Sequence, residues 1–538
     1  MQSTMQDVEL SVRRLLRYGS TVHGRAVVTT WSADGPRRRD FAEIGRRCAA
    51  LSHALRALGV DADQRVGTFM WNNAEHLEAY LAVPSMGAVL HTVNIRLFPD
   101  QLVHVVEHAQ DRVIIVDASL LALLAPHLPR MPGLRHLIVN GEVADISVPG
   151  GVRVHSYERL LADQPGEFDW PETDERNAAA MCYTSGTTGD PKGVVYSHRS
   201  IYLHSMQVCM SDGTALAQTD NALVVVPQFH AMAWGLPYAA LMIGSSLLLP
   251  DRFLQPDALA EMIAAERPTF AAAVPTIWQG LDRYLRERPR DITSLREVLI
   301  GGSAVPPALM HAFEEEHGVP VLHAWGMTET SPLGSVARPP AGVTGSQRWN
   351  YRYSQGRFPA SVEARLVAED GSLVPHDGVG LGELEVRGPW ITGSYYGVDA
   401  PEKFHDGWLR TGDVGSISPD GYLRLSDRTK DIIKSGGEWI SSVDLENAVM
   451  AHPGVAEAAV VAIPDPTWDE RPLAVVVLRD PATTPADLRA FLGDKVAKWQ
   501  LPENWAVVTE VPKTSVGKFD KKRLRAEYES GALPVQRL

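Results

Sequence analysis

The chain has 538 residues, 45% of them hydrophobic and 22% charged, so it is long enough for more than one hydrophobic core and has the composition of a soluble globular protein. The formal net charge of −14 argues against a general nucleic-acid binder or anionic-membrane binder, because both need an extended basic surface. Small anionic ligands are not excluded, since backbone N–H groups and a few lysines can make one site positive.

The cysteines and the apolar runs indicate the compartment. Cys48, Cys182 and Cys209 have no paired or metal-like spacing, which is typical of a reduced, cytoplasmic protein. The N-terminus lacks the pattern of a signal peptide. The most apolar run, "WGLPYAALMIGSSLLLP" (234–250), is broken by glycine, proline and serine, so it predicts a buried helix followed by a strand and no integral membrane segment.

Up to about residue 360, predicted strands alternate with predicted helices. The spacing of apolar residues predicts a helix over 41–58, with Asp40 as its N-cap and Gly59 as its stop. A further helix is expected over 306–317. Buried strands are predicted at 65–70, 112–117, 221–227, 269–275, 295–302 and 319–326. This alternation predicts parallel sheets covered by helices, with ligands beyond the carboxyl ends of the strands.

After about residue 360 the pattern changes to short β-rich pieces, which predict a small β-rich subdomain. The last hundred residues then predict a compact α+β unit. Its expected elements are a helix at 442–451, strands at 458–463 and 472–478, a helix at 485–497, a strand at 505–511 and a final helix. The charged stretch "SDRTKD" (426–431) has no apolar residue, so we expect a joint there between an N-terminal domain, residues 1–429, and a C-terminal domain, residues 430–538.

The stretch "YTSGTTGDPKG" (183–193) is rich in hydroxyl groups and glycine and has little that could fill a core. It is not a Walker A loop, because Pro191 stands where that motif needs glycine and Lys192 is not followed by serine or threonine. The flanking runs "AAAMCY" and "GVVYSH" predict a strand–loop–strand that holds phosphate. The expected donors are the hydroxyls of Thr184, Ser185, Thr187 and Thr188, with Gly186 and Gly189 opening the backbone.

Five motifs stand in the order found in the adenylate-forming superfamily: "YTSGTTGDPKG", "WGMTET", "RTGD", "SDRTKDIIKSGGEWI" and "PKTSVGK". The chain resembles that superfamily over essentially its whole length. The runs "FHAMAWGLPY", "GPWITGSYYG", "SGGEWISSVDLE" and "AKWQLP" resemble its medium- and long-chain fatty-acyl-CoA synthetase branch.

The resemblance implies an ATP-dependent acid–CoA ligase that uses Mg²⁺. A carboxylate would attack the α-phosphate of ATP and release pyrophosphate, and the thiol of CoA would then take the acyl group and release AMP. Because two anions must meet in the first step, positioning and cationic stabilisation dominate the barrier. The partners implied are small molecules and, by the same resemblance, a second copy of the chain in a homodimer.

The resemblance also implies roles for single residues. Lys518 would bridge the substrate carboxylate and the α-phosphate, Glu329 with Thr184 would face the metal, and Thr328 would contact phosphate. Asp413 and Arg428 would bind the ribose, Trp325 would stack on adenine, and Gly302, Ser303 and Ala304 would meet the base edge. The other nucleotide contacts implied are Lys192, His323, Ala324, Gly326 and Met327.

The same family alternates between two domain orientations. In the first, the C-terminal domain delivers Lys518; it then turns about a hinge at Lys430, in the stretch 427–431, and a glycine-containing loop replaces the lysine. That loop would meet the pantetheine of CoA through Lys434, Ser435, Gly436, Gly437, Glu438 and Trp439.

The acid is indicated by "VVPQFHAMAWGLPY" (225–238). Amino-acid-adenylating relatives carry an aspartate after this phenylalanine to pair with the substrate ammonium; here His230 follows Phe229, which favours an uncharged, apolar tail. Trp234 resembles the gate of the fatty-acid tunnel, and His230 would border the route of the carboxylate and thiol. The other expected wall residues of the acyl pocket are Pro275, Thr276, Ile277, Gly301, Gly302 and Gly326.

Three other interpretations stay open from the sequence. The acid could be short or aromatic, like methylmercaptopropionate or cinnamate. The acyl-AMP could be passed to a carrier protein instead of CoA. A non-catalytic nucleotide-sensing protein on the same fold is the remaining alternative, and the intact motifs argue against it.

Overall fold

The computed structural model describes residues 1–142, 148–184, 190–436, 438–514 and 518–538. Helices and strands alternate over the first 209 residues, as predicted. They are α1 (Val12–Val22), β1 (Val27–Thr30), β2 (Arg37–Asp40), α2 (Phe41–Ala57), β3 (Arg65–Phe69), α3 (Ala74–Ser85), β4 (Val89–Thr92), α4 (Pro99–Ala109), β5 (Val113–Asp117), α5 (Leu121–Leu124), β6 (His136–Asn140), β7 (Arg153–Ser156), α6 (Tyr157–Ala162), β8 (Ala178–Tyr183), β9 (Gly193–Ser197) and α7 (His198–Cys209).

Helix α2 shows how local sequence sets these bounds. The carboxylate of Asp40 accepts a hydrogen bond from the backbone N–H of Glu43 and so satisfies one free donor of the first turn. The apolar face that includes Phe41, Ile44 and Leu51 is fully buried, as the spacing predicts. The predicted N-cap is therefore confirmed.

The middle of the chain continues the alternation. Its elements are β10 (Asn221–Val224), α8 (Leu236–Ile243), β11 (Ser246–Leu249), α9 (Pro256–Glu266), β12 (Phe270–Ala273), α10 (Pro275–Glu287), β13 (Glu297–Ile300), α11 (Pro307–His311), β14 (Val321–Gly326), β15 (Leu333–Val336) and α12 (Gly345–Tyr353). The apolar run at 234–250 is a buried helix followed by a strand, as expected. The helix predicted over 306–317 is α-helical only to His311 and continues as a π-helical turn, Ala312–Glu316.

Short strands dominate the next hundred residues, and a separate α+β unit follows. The elements are β16 (Gly356–Arg357), β17 (Glu363–Val367), β18 (Leu373–Val374), β19 (Gly382–Arg387), β20 (Phe404–His405), β21 (Trp408–Ile417), β22 (Tyr422–Arg428), β23 (Ile433–Ser435), β24 (Glu438–Ile440), α13 (Ser442–Met450), β25 (Val455–Asp465), β26 (Asp469–Leu478), α14 (Pro485–Leu492), β27 (Asn504–Val507), α15 (Lys521–Glu529) and β28 (Val535–Arg537). Helix α14 ends at Leu492 and is shorter than predicted, and its C-cap Gly493 keeps right-handed helical angles, with φ −56°.

The strands form three sheets. The first has the order β7-β6-β5-β3-β4-β8-β9 and is parallel except for the β8–β9 pair. The second is parallel from β1 through β11, β10, β12 and β13 to β14, and continues antiparallel through β15, β16, β22, β21, β19, β17 and β18. The third contains β24, β23, β26, β27 and β28, with β25 beside β26. The predicted large α/β domain with a β-rich subdomain and a small α+β unit is confirmed.

The largest hydrophobic core lies between the first two sheets and the helices around α1, α2, α3, α7 and α8. Tyr80 of α3, Tyr238 of α8 and Phe41 of α2 are fully buried there. The third sheet has its own core around Trp505 and Leu488, which fits a unit with a separate apolar interior. Among the helices of the described residues, none is both long and apolar enough to cross a membrane.

Candidate active site

A cavity of about 250 Å³, here called the reaction cavity, opens where loops from the first two sheets meet the C-terminal unit. Most residues predicted for the site line it. They are Thr184, Lys192, His230, Trp234, Thr276, Ile277, Gly301, Gly302, Ala324, Trp325, Gly326, Met327, Thr328, Glu329, Arg428 and Lys518. Pro275, also predicted for the acyl pocket, is buried in the first turn of α10, and its neighbours Val274 and Thr276 line the cavity.

A second cavity of about 260 Å³, the nucleotide cavity, adjoins the first and shares with it Gly302, Ala324, Trp325, Gly326, Arg428 and Lys518. Its further lining includes the predicted residues Ser303, Ala304, His323 and Asp413. Ser185, Gly186, Thr187, Thr188 and Gly189 of the predicted phosphate loop lie outside the described residues. The two strands that flank that loop, β8 and β9, form the antiparallel hairpin predicted from the sequence.

Asp413 is held by two donors at the floor of the nucleotide cavity. The indole Nε1 of Trp325 donates to its Oδ2 over 2.8 Å, and the guanidinium Nε of Arg428 lies 3.0 Å from its Oδ1. Asp413 and Arg428 stand directly opposite each other on β21 and β22, so the strand register brings this pair together. The carboxylate of Asp413 and, less strongly, that of Glu329 raise the pKa of Arg428.

The indole of Trp325 is buried and lies against Gly334. A β-carbon on Gly334 would come within 2.3 Å of the indole ring, so only glycine leaves room for it. The ring also packs edge-on against Phe358, with 6.0 Å between centroids. The indole of Trp325 is therefore held by Gly334, by Phe358 and by its hydrogen bond to Asp413, and it lines both cavities.

Glu329 follows β14 and faces the reaction cavity. The hydroxyl of Tyr395 donates to its Oε1 over 2.7 Å, and its backbone oxygen accepts from Thr392 N over 2.8 Å. No described residue donates to its Oε2. Next to it, the hydroxyl of Tyr196 donates to the backbone oxygen of Thr328 over 2.7 Å. A buried carboxylate with one free oxygen is a donor of the hard type that Mg²⁺ prefers, so these residues fit the ion.

Lys518 extends from the C-terminal unit into both cavities. Its Cε lies 4.0 Å from the position of a β-carbon on Gly302, which is an ordinary van der Waals distance. Burial, and then the positive charge of Arg428, lower the pKa of Lys518 to about 8, against the opposing effect of Asp413 and Glu329. The amine is therefore at the reaction site, and its charge is sensitive to mildly alkaline pH.

One wall of the reaction cavity, here called the acyl wall, consists of Val225, Val226, Pro227, Phe229 and His230. Burial, and then the charges of Lys518 and Arg96, lower the pKa of His230 to about 4. The imidazole is therefore neutral at pH 7 and gives the wall no charge.

After the acyl wall the backbone makes a left-handed turn. Ala231, Met232, Ala233 and Trp234 have φ between 43° and 56°, and Gly235 has φ 75°. L-residues rarely adopt this conformation in succession, because Cβ approaches the following carbonyl oxygen. The turn brings the Trp234 indole to 3.4 Å from the position of a β-carbon on Gly301, at the cavity wall.

The residues predicted to bind CoA lie away from the reaction cavity. Lys434 and Trp439 line a separate cleft of about 690 Å³, where Lys434 Nζ is 2.9 Å from the Glu369 carboxylate. Ser435 accepts from Arg471 over 3.1 Å, and Gly436 N donates to the backbone oxygen of Trp468 over 2.8 Å. Glu438 is exposed on β24. Gly437 lies outside the described residues. The structure thus holds Lys518 at the reaction site and this loop elsewhere.

Three residues at the site, Lys403, Arg96 and Asn72, stand outside the quoted motifs and were missed in the sequence. The role of Tyr395, which lies within the run "GPWITGSYYG", was missed as well. Tyr395 binds Glu329, and its ring lies 5.0 Å from Lys192 Nζ. Lys403 and Arg96 line the reaction cavity, with Lys403 Nζ 3.8 Å from the position of a β-carbon on Gly412. Asn72 holds the acyl wall from behind. For Lys403, the sequence offers one signal, its place seven residues before the "RTGD" stretch.

The cavity is locally basic in an acidic chain. Among the described residues, its lining includes five cationic side chains and two carboxylates. The cations are Arg96, Lys192, Lys403, Arg428 and Lys518, and the carboxylates are Asp190 and Glu329. Such a cluster attracts a polyanion even though the net charge of the chain is −14.

Comparison with known proteins agrees with this geometry. The family model described as AMP-binding enzyme matches residues 19–396, and the one described as AMP-binding enzyme C-terminal domain matches residues 444–518. A 3-methylmercaptopropionyl-CoA ligase of Ruegeria lacuscaerulensis is 42% identical over 98% of this chain and 99% of its own length. A long-chain-fatty-acid–CoA ligase of Thermus thermophilus is 44% identical over 98% of this chain and 97% of its own.

A solved structure shows the same fold at greater sequence distance. The anthranilate CoA ligase in complex with anthranoyl-AMP superposes with a TM-score of 0.87 at 25% identity, over 99% of this chain and 100% of that one. The resemblance seen in the motifs is confirmed. The chain belongs to the AMP-binding enzyme family, within the adenylate-forming superfamily.

Proposed function

We propose that the chain activates a carboxylic acid with an uncharged, apolar tail, a medium- or long-chain fatty acid, and transfers its acyl group to CoA. As a member of its superfamily, the chain is an AMP-forming acid–CoA ligase. The acid attacks the α-phosphate of ATP and pyrophosphate leaves; the thiol of CoA then attacks the acyl carbonyl and AMP leaves.

The charged residues around the cavities supply what the first step needs. Asp413 accepts from the ribose hydroxyls, because its oxygens are already oriented by Trp325 and Arg428. Lys518 donates to both the incoming carboxylate and the α-phosphate and so offsets their repulsion. His323, whose Nδ1 has no hydrogen-bond partner among the described residues, lines the nucleotide cavity and meets the base edge.

The described residues also fit the metal that the family uses. Glu329, through its free Oε2, and the Thr184 hydroxyl would hold Mg²⁺ together with phosphate oxygens. When bound, the ion neutralises charge on the phosphates. Lys192 adds a cation on the same side, held over the ring of Tyr395.

The acyl wall is the observation that carries the proposed acid. A substrate ammonium buried there would need a carboxylate, and the wall offers apolar side chains and a neutral His230. Of the two carboxylates in the described lining, Asp190 is exposed, and Glu329, bound by Tyr395 through Oε1, would use its Oε2 for Mg²⁺. Val208, Ala273, Leu299 and Leu333 make further apolar lining. Burial of methylene groups against these side chains favours a fatty tail.

Two domains, 1–429 and 430–538, with a hinge at Lys430, account for both half-reactions. In the structure Lys518 is at the reaction site while Lys434 pairs with Glu369, which corresponds to the orientation for adenylate formation. A turn at the hinge would break that ion pair and bring the 434–439 loop to the acyl-AMP. Domains of one chain are expected to move relative to each other unless a large apolar interface holds them, and the stretch 426–431 has no apolar residue.

A panel of acids tests the proposed substrate. Thioester formation is measured with straight-chain acids from short to long, one aryl acid and one methylthio acid, each with ATP and CoA. We expect kcat/KM to rise with chain length to a maximum among the medium or long acids, because each added methylene is buried. A preference for the aryl acid or for the shortest straight-chain acid would contradict the proposal.

One rival is favoured by a specific observation. The 42% identical relative is a 3-methylmercaptopropionyl-CoA ligase, and an apolar wall accepts a thioether as readily as a methylene. A maximum at the methylthio acid in the same panel would select this function. An assay with a carrier protein in place of CoA distinguishes a CoA ligase from an acyl-AMP ligase. The acyl-AMP ligase alternative predicts acyl transfer to the carrier.

A further inference from the structure

The acyl wall is held from behind by a side chain that does not itself line the cavity. Asn72 follows β3 of the first sheet and is buried, with 3% of its surface exposed. Its amide nitrogen donates to the backbone oxygens of Val224, over 2.7 Å, and Val226, over 2.8 Å. Its amide oxygen accepts from the backbone N–H of Gln228 over 2.8 Å. One side chain thus bonds backbone groups of three alternate residues, 224, 226 and 228, along one edge of the wall.

The wall needs this support because its neighbouring strand ends early. Strand β10 pairs with β11 only as far as Leu223, opposite Leu248, and β11 ends one residue later. On the opposite edge, Val226 N still bonds Ala272 of β12. Without Asn72, the carbonyls beyond Leu223 would face buried space unpaired, which costs free energy.

A second side chain, that of Tyr80, also bonds the backbone of Gln228. The hydroxyl of Tyr80, in α3, donates to the backbone oxygen of Gln228. The side chain of Gln228 is fully buried, and its amide atoms have no partner among the described residues. The position of Gln228 is therefore imposed by Asn72 and Tyr80 and not by its own side chain. Phe229 and His230 follow immediately and point into the reaction cavity.

We propose that Asn72 is a positioning residue for acid selectivity: it fixes the backbone of the acyl wall and thereby the width of the space for the substrate tail. Tyr80 supports it at one point. The inference rests on the proposed function only in that the cavity takes an acid. It applies whichever acid the wild-type enzyme prefers.

The test compares two adjacent buried asparagines. Asn72→Ala removes the bonds to the wall. Asn73→Ala is the matched control: Asn73 accepts from His76 N over 2.9 Å, donates to Asp117 over 3.0 Å, and has no bond to the wall. Both variants and the wild type are assayed with the same acid panel, and KM for ATP and the melting temperature are measured for each.

For Asn72→Ala we expect KM for the preferred acid to rise about tenfold, since a small displacement of a pocket wall has effects of that order. The ratio of kcat/KM between the preferred acid and an acid two methylenes shorter falls, while KM for ATP stays within about twofold. Asn73→Ala lowers the melting temperature and leaves that ratio unchanged.

Tyr80→Phe keeps the inference testable if Asn72→Ala does not fold, because it deletes one hydroxyl and leaves the ring. We expect a smaller change of the selectivity ratio in the same direction. If the folded variants at Asn72 and Tyr80 lose only thermal stability and keep the wild-type ratio, the inference is overturned. Failure of the wild type to activate any acid would instead refute the proposed function, and equal shifts in the Asn73 variant would refute a specific role of Asn72.

Discussion

The nucleotide cavity and the acyl wall are built in different ways, although both border the same reaction site. In the nucleotide cavity, charged side chains hold one another, as Asp413 does between Trp325 and Arg428. The acyl wall has apolar side chains, and its shape comes from backbone hydrogen bonds to Asn72 and from the left-handed turn at 231–235. The charged groups needed for activation of any acid are thus held by hydrogen bonds and ion pairs between side chains. The shape of the space for the acid tail depends instead on the backbone conformation of the acyl wall.

This difference implies that the two regions respond differently to substitution. Removing a charge from the nucleotide side should affect the chemical step, because the interaction strengthens as charge develops. Changing the backbone on the acyl side should affect selectivity or stability and leave the chemistry of the phosphates intact.

The largest effect is expected for Lys518→Ala. Loss of the ammonium should lower acid-dependent pyrophosphate release by about 10²–10³-fold, because the repulsion between carboxylate and α-phosphate is no longer offset. Thioester formation from pre-made acyl-AMP should be largely spared. Arg523→Ala is the control, since that cation is exposed and pairs only with Glu527 among the described residues. Equal loss of both half-reactions would contradict the assignment.

A proline at the hinge tests whether the C-terminal domain, which carries Lys518, must rotate between the two half-reactions. Lys430→Pro restricts the backbone on both sides of residue 430. We expect CoA-dependent thioester formation to fall at least about tenfold, with pyrophosphate release nearly unchanged, because only the second step needs the other orientation. The two half-reactions are measured separately in one preparation. Full activity in both would argue against a hinge at this residue.

The pH dependence of activity should reflect Lys518 at the reaction site and not His230 of the acyl wall. Because the pKa of Lys518 is lowered to about 8, its protonated fraction falls as pH rises above 8, and kcat/KM for ATP should fall about tenfold per pH unit there. The pKa of His230 is about 4, so the acyl wall stays neutral over the same range. Lys518→Arg, which stays charged, should remove the decline. A decline that persists in this variant would assign it to another group.

The smallest effect concerns backbone strain beside the acyl wall. Ala233, in the left-handed turn, and Ala240, in α8, are both fully buried. Ala240→Gly should lower the free energy of unfolding by about 1 kcal/mol, as glycine does in a right-handed helix. Ala233→Gly should leave it unchanged or raise it by up to about 1 kcal/mol, because glycine adopts positive φ without strain. Urea unfolding measures both, and equal losses would show that the turn stores no strain.

Local patterns determined much of the fold and the charged half of the site. Asp40 as a cap, the apolar face of α2 and the hairpin around the phosphate loop depend on neighbours within a few residues, so the sequence shows them directly. Lys518, Glu329 and Asp413 stand in short motifs whose spacing is visible in the chain. The π-helical turn after His311 was missed because its hydrogen bonds differ from those of an α-helix while the apolar spacing does not.

The tertiary structure alone decided what supports the acyl wall from behind and which partners the motif residues have. Asn72 and Val224 are 152 residues apart, and Tyr395 meets Glu329 across 66 residues. Such contacts depend on where strands of different sheets end, and no local pattern encodes that. The sequence therefore determines which chemistry the chain can perform, and the packing of two sheets decides the space left for the acid.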